Sequence, residues 1–114
     1  MSRIPVTGRL AEIAFQLATS DRESERRGAA GLLGCVGTDQ SRITLRKMIE
    51  GESNNQVIAA AVRALGRRGD RATLAYLKEA LIRYTRNMPD DPTAPYVLSA
   101  LRKSVGDLTV KHPE

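Results

Sequence analysis

Tryptophan is absent from this chain of 114 residues, phenylalanine occurs once and tyrosine three times, so aromatics make up only 4% of it. A core must therefore come from Leu, Ile, Val and Ala, a palette that suits close-packed helices better than a β-sandwich. A single cysteine, Cys35, excludes an internal disulfide and fits a reducing compartment. The only histidine, His112, stands beside Pro113 at the far end, which argues against a Cys–His nucleophilic pair. No apolar run approaches the roughly 18 residues a membrane span needs, and Met1–Gly8 lacks an apolar core of signal-peptide length. The expectation is a cytoplasmic protein with no membrane partner. Nothing alternates with period two long enough to make a strand, which leaves an all-α chain.

Hydrophobic residues account for 41% and charged residues for 27%, an ordinary soluble composition, and the net charge of +5 favours acidic partners. Helical periodicity and capping signals divide the chain into about six helices. Leu10, Ile13, Ala14, Leu17 and Ala18 fit one face of the first. Ser20 with Glu23 reads as a capping box opening a second helix that runs to Val36, with Ala29, Ala30, Leu33 and Val36 inward. Thr38 or Asp39 caps a third, from about Gln40 to Glu50, carrying Ile43, Leu45, Met48 and Ile49. Ser53 with Gln56 reads as the next capping box, and Asn54 to Arg67 as the fourth helix. Asp70 caps a fifth, which bears Leu74, Leu77, Leu81 and Tyr84 and ends near Asn87. The segment 88–95, with prolines at 89, 92 and 95, cannot be helical throughout, although Pro95 is tolerable in the first turn of a helix. A sixth helix starts near Thr93 or Ala94 and carries Tyr96, Leu98, Leu101 and Val105. The chain is expected to be one domain over residues 1–114, irregular over 1–7 and with a tail over 107–114.

One segment recurs. Gly31-Leu32-Leu33-Gly34-Cys35-Val36-Gly37-Thr38-Asp39 aligns with Arg63-Ala64-Leu65-Gly66-Arg67-Arg68-Gly69-Asp70, and Ala100–Asp107 repeats the ending more weakly. Gly37 and Gly69 stand 32 residues apart, Gly69 and Gly106 37 apart. A period of this length marks stacked units that cannot bury their apolar faces singly. Ala29 falls on Ala61, Leu33 on Leu65, Leu45 on Leu77 and Arg46 on Lys78. Gly28, Gly31, Gly34 and Gly37 recur every third residue; three of them within a helix cost about 1 kcal/mol each, which points to close helix packing. No Lys-Ser or Lys-Thr follows them, so they are not a phosphate loop.

These residues, above all Ala59-Ala60-Ala61-Val62-Arg63-Ala64-Leu65-Gly66-Arg67-Arg68-Gly69-Asp70, resemble the HEAT repeat, in particular the short form of phycobilisome-lyase-like proteins. The resemblance covers residues 22 to 107. It implies a right-handed α-solenoid of about three helical hairpins, the first helix of each pair convex and the second lining a concave groove. The chain departs from the pattern at Arg71, where proline is frequent, and at Arg102, which falls where the other copies place Leu33 and Leu65. Some HEAT-like enzymes hold metals through His-Glu dipeptides; none occurs here. Asp90-Asp91 has no further oxygen ligands at calcium-loop spacing. The reading is a non-catalytic chain with no cofactor and no metal.

Basic residues are the remaining candidates. Arg42, Arg46 and Lys47 lie on the third helix; Lys78, Arg83 and Arg86 lie on the fifth. Arg46 and Lys78 are expected side by side. Arg67, Arg68 and Arg71 gather at the turn where the fifth helix presents its N-terminus, a place suited to phosphate. Tyr96 or Val97 is expected to be exposed on the last helix. The function that follows is protein interaction, as adaptor, scaffold or accessory subunit, with an acidic protein or a second copy as partner. Two alternatives stand beside it: nucleic-acid binding through the basic second helices, and an accessory role to a phycobilisome-type lyase.

Overall fold

Short polar side chains set where the helices begin. Asn54 accepts from the Gln56 and Val57 amides at 2.9 and 3.3 Å, Asp70 from the Thr73 amide at 2.8 Å, and Thr38 from the Ser41 amide at 3.1 Å. Each satisfies donors that a helix start leaves without partners. In the structure, a computed structural model describing residues 6–113 and all their side chains except those of Val6, Thr7 and Arg68, six helices result: α1 (Val6–Leu17), α2 (Glu23–Val36), α3 (Asp39–Gly51), α4 (Asn55–Arg68), α5 (Arg71–Arg86) and α6 (Ala94–Lys111). No strand occurs among the described residues.

Two expected caps are corrected. Arg22, not Ser20, precedes α2, and Ser20 Oγ instead accepts from the Arg22 amide and donates to Glu25. Asn54, not Ser53, caps α4. Gly37 takes φ 66° after α2, a left-handed conformation glycine adopts without strain, and its amide closes on the Leu33 carbonyl.

α2, α4 and α6 form one layer, α2 against α4 and α4 against α6. α1, α3 and α5 form the other: α1 rests on α2, α3 on α2 and α4, and α5 chiefly on α6 with a lighter contact to α4. The Cα extents of 53 × 37 × 15 Å describe a slab two helices deep. Leu33, Leu45, Leu65, Leu77 and Leu101 are fully buried in the seam between the layers. An all-α helical-repeat solenoid is therefore the fold.

The ends differ from the sequence-based expectation. Val6 and Thr7, expected to be irregular, already belong to α1; residues 1–5 lie outside the described residues. Of the face placed inward by periodicity, Ala14 and Ala18 meet the core, joined by Phe15, whereas Leu10 and Ile13 are exposed, Ile13 at 47%, because α1 packs chiefly on α2. Ile43 is likewise exposed. The tail expected over 107–114 is helical to Lys111, and Leu108 is fully buried. Val97, Leu101, Ser104 and Leu108 make the inner stripe of α6, which puts Arg102 outside and Leu101 in the seam. Tyr96 is exposed and Val97 is not.

The helical glycines divide into two kinds. A Cβ on Gly34 would lie 2.8 Å from the Ala64 Cβ, and one on Gly66 2.7 Å from the Ser104 Cβ, so these mark the closest approaches of α2 to α4 and of α4 to α6. Gly28 and Gly31 have nothing within 4 Å of that position. Close packing explains Gly34 but not its two neighbours.

Candidate functional site

α3 and α5 both lean on α4 but share no helix–helix seam of their own. The gap between them is a cleft of about 480 Å³ whose floor is Ile58 and Val62 of α4 with Val97 and Leu101 of α6. Ile49 and Glu50 form one wall, Tyr76, Ala80, Arg83 and Tyr84 the other. Side chains bridge the walls at one end: Tyr76 donates to Glu50 at 3.2 Å, and the Arg46 guanidinium lies 4.8 Å over the Tyr76 ring. Burial, helped by the Glu50 carboxylate, pushes the Tyr76 hydroxyl up to about 12 against the opposing pull of Arg83 and Arg46. Tyr76 thus stays neutral and holds the walls at a fixed distance. At the other wall, Tyr84 donates to the Ala94 carbonyl at 3.3 Å and ties α5 to α6.

The basic residues of α3 and α5 do not converge. Arg46 is folded onto Tyr76 within the slab, while Lys78 is exposed, so the expected Arg46–Lys78 pair is not formed as a side-by-side surface. Arg42 is held at the α2–α3 turn by the Asp39 carboxylate and by the Gly37 carbonyl at 3.0 Å. Lys47 lies toward the α1 side with Arg26 and Glu52. Arg83 alone of this group lines the cleft, and Arg86 is exposed in the last turn of α5. Tyr96 is exposed on α6. At the α4–α5 turn Arg71 is exposed, the Arg68 side chain lies outside the described residues, and Arg67 faces the opposite surface of the slab.

That opposite surface carries two shallow grooves along α4. Between α2 and α4, a groove of about 350 Å³ is lined by Arg27, Arg63 and Arg67 beside Gly28 and Gly31. Between α4 and α6, one of about 560 Å³ adds Lys103 and Lys111 to the same Arg63 and Arg67. Of these cations only Arg67 was singled out by sequence. The usable signal was the spacing of Arg63 and Arg67, four residues apart on one helix face.

A further polar feature was invisible in sequence. Arg26 makes a forked pair with Glu52 at 2.8 and 3.1 Å and donates to the Ser20 carbonyl at 2.9 Å, fastening α2 to the α1–α2 and α3–α4 loops. Burial alone would raise the Glu52 carboxyl; the Arg26 guanidinium and the Asn54 amide outweigh it and hold the carboxyl below its usual range. Cys35 is exposed, and His112 lies 3.0 Å from the Gly69 carbonyl oxygen. Among the described residues no group of three His, Cys, Asp or Glu could hold a metal ion, and no helix is long and apolar enough to cross a membrane.

A two-layered stack of helical hairpins around a leucine seam defines the class of helical-repeat proteins. The sequence model of the family described as HEAT repeats matches residues 11–106, and the chain belongs to that family. No match was found to curated proteins or to solved structures.

Proposed function

We propose that the protein is a non-catalytic interaction module that grips a segment of another protein in the cleft between α3 and α5. HEAT repeats are commonly protein-interaction modules. The observation that carries the reading is the cleft itself: half-buried Ile49, Ile58, Ala80 and Tyr84 line it above the buried Val62, Val97 and Leu101, between two helices that the fold keeps apart. Apolar anchors seated in such a pocket supply most of the affinity of a protein interface, with polar groups on the rim giving orientation. Glu50 on one rim and Arg83 on the other offer charges of both signs, so a mixed-charge segment with an apolar anchor suits the site better than a uniformly acidic one.

Ala80 lines the cleft and is partly buried against the core, so a larger side chain there fills the cleft and its effect on stability is measured alongside. The test is crosslinking from a photoreactive side chain at position 49, followed by mass spectrometry, with and without the cleft-filling change Ala80→Arg. Support is a defined protein crosslinked to the native cleft and lost from Ala80→Arg, while thermal unfolding of the two chains coincides. A crosslinking pattern indifferent to Ala80→Arg would remove the cleft from consideration.

A further inference from the structure

We infer that the outer face of α2, α4 and α6 is a second binding surface, which seats the phosphate backbone of a nucleic-acid duplex without reading its sequence. Two continuous grooves share Arg63 and Arg67 and between them hold five cations, with Arg27 at one side and Lys103 and Lys111 at the other. Asp107 is the one carboxylate in their lining. All five basic side chains are exposed. Arg27 has a loose ion pair with Glu23 at 3.8 Å and donates to Gln56, and Lys111 donates to the Arg67 carbonyl at 2.8 Å. Among the described residues no carboxylate pairs with Arg63, Arg67 or Lys103.

The geometry favours a polyanion of high linear charge density. Arg63 and Arg67 are one helical turn apart, about 6 Å along α4. The flanking helices, whose axes lie about 8–10 Å to either side, carry the other cations. The result is a basic band crossing three helices rather than a point charge. Gly28 and Gly31, with nothing within 4 Å of where a Cβ would stand, leave the band without a ridge between Arg27 and Arg63.

The chemistry of the lining selects among anionic partners. A protein partner is anchored by large apolar side chains, and Val110 is the one such side chain in this lining, the rest of its apolar surface being alanine, glycine and the stems of the basic residues. A membrane surface calls for a row of large apolar side chains below the cations, and a single valine does not make one. Single-stranded nucleic acid is held by stacking on aromatic rings, and no aromatic lines either groove. Duplex phosphates need only cations and exposed polar backbone, and contacts of that kind position a duplex without distinguishing its bases. This surface lies on the other side of α4 from the cleft, so the two readings stand or fall separately.

The experiment is an anisotropy titration of the full chain against a labelled 20-base-pair DNA duplex, repeated from 20 to 200 mM salt. Neutralising four to five phosphates predicts a slope of log affinity on log salt of roughly −3.5 to −4.5, or roughly a hundred- to five-hundredfold loss between 50 and 200 mM. The double change Arg63→Glu with Arg67→Glu is expected to weaken binding at least tenfold and flatten the slope by about two. Lys103→Glu, on a different helix, is expected to weaken it several-fold. Arg9→Glu, a change of equal charge at a residue lining neither groove, is expected to leave it within twofold once the shared net-charge effect is matched by salt. Circular dichroism of each variant confirms that the helices persist. Absence of duplex binding at 20 mM salt overturns the inference, and so does loss from Arg9→Glu equal to that from Lys103→Glu. Tighter binding to a single strand of the same length, to phosphatidylserine vesicles or to polyglutamate overturns it in favour of that ligand.

Discussion

Replacing Gly31 and Gly34 by alanine, one turn apart on α2, is expected to move stability in opposite directions. Alanine in a helix interior is favoured over glycine by about 0.5–1 kcal/mol. At position 31 nothing lies within 4 Å of the new methyl group, so the variant gains that amount in full. At position 34 the methyl would stand 2.8 Å from the Ala64 Cβ and 3.1 Å from its Cα. Carbon atoms prefer about 3.5–4.0 Å, and alanine has no rotamer to turn away with, so α2 and α4 must part. Overpacking of this kind costs about 1–3 kcal/mol, leaving Gly34→Ala less stable than the native chain by about 0–2 kcal/mol and less stable than Gly31→Ala by about 1–3. Urea unfolding followed by circular dichroism measures the difference; in melting temperature it amounts to several degrees. Adding Ala64→Gly to Gly34→Ala is expected to restore part of the loss, a coupling seen as non-additivity in the double-mutant cycle. Equal shifts of the same sign for the two alanine variants would refute the contact between α2 and α4 as described.

Three further outcomes are expected. Leu65→Ala, at a residue 1% exposed in the seam, should cost about 2–5 kcal/mol in urea unfolding, and a change near zero would contradict its place there. Asp70→Ala should cost about 1 kcal/mol through loss of the α5 cap, while Asp70→Asn keeps most of the stability because an amide oxygen also accepts from Thr73. The Glu52 carboxyl titrates lower when folded than the value near 4.3 usual for an unfolded chain. Its contribution is therefore present above that pH and disappears as pH falls through the folded value. Glu52→Gln should show a flatter dependence of the urea midpoint on pH between about 5 and 3 than the native chain, and parallel profiles would argue against the Arg26–Glu52 pair.

The repeated core was legible in sequence because packing leaves a period. Leu33, Leu65 and Leu77 recur with the hairpins, and all are buried. The last helix was harder to place because alignment on Gly106 puts Arg102 over the leucines, whereas burial follows Leu101, Ser104 and Leu108. Ser104 enters where Gly66 makes room for it, a match between residues 38 positions apart that no local pattern reports. At α1 the pattern named Ile13 as core, but an amphipathic stripe does not state how many neighbours it will find. The cleft was anticipated only as a groove lined by second helices; its apolar floor depends on how far α3 and α5 are splayed. The basic band escaped notice for a related reason. Arg27, Arg63, Lys103 and Lys111 sit on three helices and share no sequence motif, so only the arrangement of α2, α4 and α6 brings them together.

α4 is the one helix in contact with α2, α3, α5 and α6 alike. Mechanical load entering the N-terminal hairpin reaches the C-terminal one chiefly along this strut, with the Glu50–Tyr76 and Arg46–Tyr76 contacts as a side link. Ile58 and Arg63, on the same strut, line opposite sides of the slab.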